Sequence, residues 1–225
     1  MALYAISDLH LSLAADKPMD VFRGWSDYVL RLQNNWKRIV GEEDTVVIPG
    51  DISWALRLPD AREDFKFIDA LPGKKIILKG NHDLWWSTAK KLNEFLEQNE
   101  IKTVSFVFNN TVVAEGRAIC GTRGWFYDLG AENRVVLREA GRLETSIKAA
   151  LETGLPPVVF THYPPVYGEW VCEEIFAVIK KYGIKRIYHG HIHGSGFHNA
   201  VSEYDGVEMK LLSADCVDFS PVMIV

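Results

Sequence analysis

Five short motifs in this sequence carry side chains suited to holding metal cations and moving protons. In chain order they are Asp8-Leu9-His10, Gly50-Asp51, Gly80-Asn81-His82-Asp83, a lone His162, and Gly190-His191-Ile192-His193-Gly194. Two carboxylates, one amide oxygen and four neutral imidazoles make a borderline-hard donor set. Such a set suits Mn²⁺, Fe, Zn²⁺ or Co²⁺ better than Ca²⁺. No thiolate stands among the donors, which disfavours a structural zinc site. Residues two apart on extended chain point to the same side, so Asp8 with His10, and His191 with His193, can each converge on one ligand. Glycine directly before Asp51, Asn81 and His191 lets the backbone turn sharply as it leaves a strand.

These motifs need rigid elements behind them, and the sequence supplies a strand before each. Leu3–Ser7, Thr45–Pro49, Lys75–Lys79, Pro157–Thr161 and Arg186–His189 are continuous rather than alternating apolar runs, the mark of strands buried on both faces. Between them Val21–Val40, Asp60–Leu71, Ser87–Gln98, Asn133–Glu152 and Trp170–Tyr182 repeat apolar residues at helical spacing. Val171, Ile175, Val178 and Ile179 form the buried stripe of the last helix, and Gly183 is its stop signal. Strand–helix–strand repetition predicts right-handed crossovers and a largely parallel sheet, whose ligands bind at the carboxyl ends of the strands. Lys102–Phe108, Thr111–Ala114 and Arg117–Gly121, separated by the turn pairs Asn109-Asn110 and Glu115-Gly116, read as antiparallel additions, as do Val207–Leu212 and Pro221–Val225.

Taken singly, a histidine at a strand end is more often a core or surface residue than a ligand, and Asp51 or Asn81 serves equally well to start a turn or cap a helix. Five motifs, each behind a predicted strand, reverse that balance. Together they resemble the calcineurin-like metallophosphoesterases, whose pattern is D-x-H, G-D, G-N-H-[DE], a lone H and G-H-x-H. Every element is present and in order from residue 8 to residue 193. The resemblance implies an α/β four-layer sandwich, two mixed β-sheets flanked by α-helices. It also implies two divalent transition-metal ions, manganese first among Mn, Fe, Zn and Co. Asp8, His10 and His193 would hold one, Asn81, His162 and His191 the other, and Asp51 would bridge them. Such a pair clamps phosphoryl oxygens and acidifies a shared water for in-line attack on phosphorus. His82 would act as general acid toward the leaving oxygen, with Asp83 holding its ring.

Arg123, in Gly121-Thr122-Arg123-Gly124-Trp125, is a candidate substrate-binding residue, because a guanidinium takes two phosphate oxygens side by side. Its rival reading is a solvent-facing turn arginine. Trp54, Trp85, Trp86 and Trp125 stand within a few residues of a motif, either as an aromatic wall for an organic group or as core, and Tyr163-Pro164-Pro165 is read as a rim after His162. Gly50-Asp51-Ile52-Ser53-Trp54 lacks the arginine and second acid of Ser/Thr protein phosphatases and the metal-binding tyrosine of purple acid phosphatases. Recombination nucleases share the motifs but carry extra DNA-binding segments, for which residues 194–225 leave little room.

Composition bounds the rest. The 225 residues, 48% hydrophobic, fit one compact domain spanning 1–225. Twenty-five basic against thirty acidic residues give a net charge of −5, which argues against stable nucleic-acid binding through bulk phosphate attraction. Cys120, Cys172 and Cys216 form no C-x-x-C pair and no disulfide framework. The opening residues read as a strand rather than a signal peptide, and no apolar run is long enough for a membrane span, so a cytoplasmic enzyme acting on a small phosphate ester is expected. The alternatives are a nuclease or nucleotide phosphodiesterase, and a non-catalytic binding scaffold, which would be expected to lack several of the motif residues. His189 and His198 lie outside the motifs and read as ordinary histidines.

Overall fold

The structure, a computed structural model, describes residues 1–125 and 133–224. Its elements in chain order are β1 Leu3–Ala5, α1 Tyr28–Ile39, β2 Thr45–Pro49, α2 Arg62–Asp69, β3 Lys74–Leu78, α3 Ala89–Gln98, β4 Val104–Phe106, β5 Val112–Ala114 and β6 Arg117–Thr122. There follow α4 Asn133–Glu152, β7 Pro157–Thr161, β8 Val166–Tyr167, β9 Trp170–Val171, α5 Glu173–Lys181, β10 Arg186–His189, β11 Glu203–Tyr204, β12 Val207–Leu211 and β13 Val222–Met223. One sheet has the order β13-β1-β2-β3-β4 and the other β11-β12-β10-β7-β6-β5.

The apolar residues sort into clusters that define the layers. Val46 and Ile48 of β2, on one face of their sheet, pack with Leu32 and Trp36 of α1, Phe65 of α2 and Leu92 of α3. Val47, pointing the other way, joins Leu3, Ile76, Phe160, Tyr188 and Leu212 between the two sheets. On the outer face of the second sheet Cys120, Val159 and Ile187 meet Leu143 and Ile147 of α4 and Ile175 and Ile179 of α5. The result is the expected α/β sandwich of two mixed sheets flanked by helices. A strand covered on both faces has no polar side to show, which is why β2 is apolar from Val46 to Pro49.

Strand direction departs from expectation in three places. β4, β6 and β12 are not antiparallel additions: each runs parallel to β3, β7 and β10 respectively. Helices α3 and α4 cross between β3 and β4 and between β6 and β7, and such crossovers return the chain parallel. Strands joined by two-residue turns reverse, and β13 pairs antiparallel with β1. Glu115-Gly116 joins β5 to β6 with φ of 50° and 67°, and Asp205-Gly206 joins β11 to β12 with 45° and 73°. Both pairs fit the left-handed turns that match strand twist.

Helix starts also move. α1 begins at Tyr28 rather than Val21, because Gly24 and Asp27 take left-handed φ of 88° and 53° and break the turn before it. Trp170-Val171 belong to β9, paired with β8, so the buried stripe of α5 is Ile175, Phe176, Val178 and Ile179 without Val171. Gly183 does end α5, with φ of 65° and its N–H on the Lys180 carbonyl at 3.0 Å. The last strand covers only Val222–Met223; Val225 lies outside the described residues.

Candidate metal centre

Five strands release their chains at one end of the sandwich. β1, β2 and β3 lead to Asp8 and His10, Asp51, and Asn81, while β7 and β10 lead to His162 and to His191 and His193. The segments after β1 and β2 run side by side: Asp8 N donates to the Gly50 carbonyl (3.0 Å), His10 N to Asp51 (2.9 Å) and Leu11 N to Ile52 (2.9 Å). Asp8, His10, Asp51 and His191 all hold left-handed backbone, with φ of 60°, 45°, 53° and 72°. Non-glycine residues hold such angles only where the surroundings over-determine them, and such strain gathers at functional sites. The motif pairs therefore converge through turned loops, not through the alternation of extended chain.

The glycines before the ligand candidates act in two ways. Gly50 itself has φ of 106°. Gly80 and Gly190 have no such angle; a Cβ on either would overlap the carboxylate of Asp51 or of Asp8. Their role is close approach of backbone to carboxylate rather than a sharp turn.

The seven donors form one connected, largely buried constellation. His193 Nε2 lies 3.2 Å from Asp8 Oδ1 and 3.3 Å from His10 Nε2. Asp51 Oδ2 lies 3.8 Å from His10 Nε2 and 3.3 Å from His162 Nε2. Asn81 Oδ1 faces His162 Nε2 at 2.7 Å and His191 Nδ1 at 2.9 Å. Among the described residues two groups meet the spacing a cation requires, Asp8 with His10 and His193, and Asp8 with Asp51 and His162.

Neighbouring atoms aim these donors. His162 Nδ1 lies 3.1 Å from the Pro49 carbonyl and His193 Nδ1 2.8 Å from Asp215 Oδ1, which leaves each Nε2 facing the cluster. Asp8 accepts from the His191 N–H at 3.0 Å and from Ser213 Oγ at 3.1 Å. The ring of Tyr163, buried rather than on a rim, packs against His191 with centroids 4.1 Å apart.

Charge is concentrated here at the expense of solvation. Burial opposes ionisation of Asp8, yet His193, His162 and His10 hold it well below the usual carboxylate range. Asp51, likewise buried, is brought to about 2 mainly by His162. Burial also opposes protonation of His162 and His193, but Asp51 outweighs it at the first and Asp8 at the second, raising them to about 9 and about 10. Burial prevails at His10 and His191, which fall to about 4 and about 3. Without cations, protons on two imidazoles balance the two carboxylates, while His10 Nδ1 is buried with no partner. Buried carboxylates, imidazoles and an amide oxygen facing one another in this way fit divalent cations.

Asp83 departs from its expected role. Its buried carboxylate accepts from the backbone N–H groups of Asp51 (2.9 Å), Ile52 (2.8 Å), Ser53 (3.4 Å) and Gly80 (2.8 Å), and from Trp85 Nε1 (3.1 Å), not from the His82 ring. It clamps the loop after β2 to the loop after β3. His82 instead sits half-buried beside Trp54 and His10, with ring centroids 4.5 and 5.6 Å away, and burial lowers its pKa.

His10, His82 and His193 face a cleft of about 440 Å³ whose other walls include Lys17, Phe22, Arg23, Trp25, Trp54 and Asp215. Trp54 stacks on His10 at 4.9 Å, and Lys17 Nζ lies 4.4 Å over the same indole. Trp85 and Trp86 pack in or against the core instead. Arg123 turns to Glu139 (3.3 Å) and lies over Trp125 (4.3 Å). Sequence reasoning missed Trp25, Ser213 and Asp215. The last two follow β12, which was legible as a strand, so their place at a strand end was the available signal.

The match to known proteins agrees with this architecture. Residues 1–195 match the calcineurin-like phosphoesterases, and the chain belongs to that family of metal-dependent phosphoric ester hydrolases. No curated protein matches it. Among solved structures it resembles a protein of unknown function, AQ665, from Aquifex aeolicus, at 17% identity and a TM-score of 0.56, over 99% of this chain and 95% of that one. It also resembles phosphopantetheinyl hydrolase (PptH) from Mycobacterium tuberculosis, at 15% identity and a TM-score of 0.55, over 100% and 95%. At such identities the likeness is one of fold. No helix among the described residues is long and apolar enough to cross a membrane.

Proposed function

We propose that the chain hydrolyses a small phosphomonoester or phosphodiester with two divalent cations, Mn²⁺ first, held by the seven donors. Asp8, His10 and His193 hold one; Asn81, His162 and His191 hold the other. Asp51 lies between them: one oxygen faces His10 and His162, a member of each set, and the other accepts from the His82 N–H at 2.8 Å. The observation that carries the reading is the convergence of all seven side chains from five strand ends. When bound, the cations supply Lewis acidity toward phosphoryl oxygens and acidify water.

The chain's own groups do the rest. His82, open to the cleft, hands a proton to the leaving oxygen. Trp25, Trp54 and Phe22 take the organic group of the ester, and Lys17 and Arg23 draw in its anionic charge. Asp83 keeps Asp51 and Asn81 in register by holding both loops. A phosphodiester is compatible with the cleft, and PptH is by name a hydrolase of phosphopantetheinyl groups. The net charge of −5 disfavours a nuclease.

The test is metal-stripped protein reloaded with Mn²⁺, with bound metal counted and p-nitrophenyl phosphate, bis-p-nitrophenyl phosphate and duplex DNA offered in turn. Two ions per chain with turnover of either aryl ester is the expected result. No turnover of any ester under Mn²⁺, Zn²⁺, Co²⁺ or Fe²⁺ overturns the reading.

A further inference from the structure

A second cluster of charge lies at the ends of β3 and β6, outside the seven donors. There the buried Glu139 carboxylate of α4 accepts from Thr122 Oγ1 (2.8 Å), Arg142 Nη1 (2.7 Å) and Arg123 Nη2 (3.3 Å). Lys79 lines the same cavity of about 30 Å³ and makes no hydrogen bond or ion pair among the described residues. Arg123 Nε is buried without a partner. Among the described residues, three cations thus share one lining carboxylate. Asp83 also reaches Lys79 by charge, but its oxygens are taken up by backbone N–H groups. Buried guanidinium N–H groups are costly to leave unmet, and like charges held together repel unless an anion stands among them.

We propose that the Lys79–Arg123–Arg142 pocket is an anion site that receives the leading oxygens of a phosphoryl-type oxyanion. Its volume holds about two water-sized atoms, at roughly 10–15 Å³ each, enough for two oxygens and too little for an organic group. Arginine presents paired donors to such oxygens and lysine a mobile point charge. The pocket adjoins the candidate centre through the backbone: Lys79 stands two residues before Asn81, and His162 N donates to the Arg123 carbonyl at 3.1 Å. The oxyanion is either a second anionic group of the substrate or free phosphate released by hydrolysis. Binding at this pocket uses none of the seven donors and so does not depend on bound metal.

The test uses the full chain with inorganic phosphate as probe, first stripped with EDTA so that no cation can hold it. Calorimetry at constant ionic strength in chloride buffer should show one phosphate per chain. Lys79→Met should weaken binding at least tenfold, and Arg142→Met likewise; Lys79 makes none of the described hydrogen bonds, so its variant guards against misfolding. No binding to the stripped wild-type chain, or binding that both variants retain, overturns the proposal. On Mn²⁺-loaded protein with p-nitrophenyl phosphate, a Lys79-dependent non-competitive component of phosphate inhibition identifies the free anion as occupant. A purely competitive Lys79-dependent one identifies the substrate. Failure of the esterase reading would leave the metal-free result standing, so the two can fall separately.

Discussion

The two sheets bring different chemistry to the same cleft. The sheet of β1, β2 and β3 delivers every oxygen donor, Asp8, Asp51 and Asn81, together with His10. The sheet of β7 and β10 delivers imidazoles alone. The first half is locked through its backbone, by the paired loops after β1 and β2 and by the Asp83 clamp. Two rings of the second half are steered through Nδ1 by acceptors outside the donor set, Pro49 O and Asp215. Fixed negative charge thus comes from one side and adjustable protonation from the other. The carboxylates of one sheet raise the pKa of His162 and His193 on the other. Assembly of the centre is therefore electrostatic as well as geometric.

The sharpest break in this scheme is Asp51→Asn, which keeps size and removes the charge shared by both halves. Turnover should disappear into background, and at least one metal should bind more weakly in calorimetry. An active, fully metallated variant would take Asp51 out of the bridging position. Next comes His82→Ala, which leaves both halves intact. Turnover should fall by about 10²–10⁴-fold while bound metal stays constant. Loss should be smaller for p-nitrophenyl phosphate than for an alkyl ester, because a good leaving group needs little protonation. An equal loss for both would deny His82 the role of proton donor, and loss of metal would make it a ligand.

The first half was the more legible in the sequence. Glycine followed by Asp51 or Asn81 names both the residue and the reason for it, since Gly50 takes a φ of 106° and a Cβ on Gly80 would strike the Asp51 carboxylate. Steering of the second half was not legible, because Asp215 lies 22 residues from His193 and belongs to no motif. Arg123 was legible as a cation, but its turn toward Glu139 depends on where α4 packs. Strand directions failed for a similar reason: the apolar run of β12 is the same whether it pairs parallel or antiparallel, and the chain path from residue 190 to 206 decides. Asp83 beside His82 suggested a pair in sequence, and the fold sends the carboxylate to the backbone instead.

Asp215→Ala probes the steering itself. It removes the acceptor at His193 Nδ1 and should lower metal affinity by about 10–100-fold with less effect on the fold. Asp215→Glu should restore part of it, and an unchanged affinity would show that ring orientation is set elsewhere.

The smallest effect, and the one that tests the coupling most directly, is the pH dependence of the metal-free chain. His162 and His193 have folded values of about 9 and about 10, above the ordinary value near 6.5, so their stabilising contribution is complete below pH 6.5 and fades as pH rises toward 9–10. His10, His189 and His191, buried and lowered to about 4, 4 and 3, act in the other direction. The unfolded chain takes up their protons first, so stability falls as pH drops from 6.5 toward 4. Asp83, raised by burial and Asp51 to about 7, takes back part of this gain as pH rises from 4 to 7, so thermal melting of EDTA-treated protein should be highest near or just below pH 6.5. In the proposed centre bound cations would need His162 and His193 neutral, so loading should release protons, grow tighter with rising pH, and remove the alkaline loss. If the melting temperature of the stripped chain is flat from pH 6.5 to 9, the two sheets meet at the cleft without sharing charge.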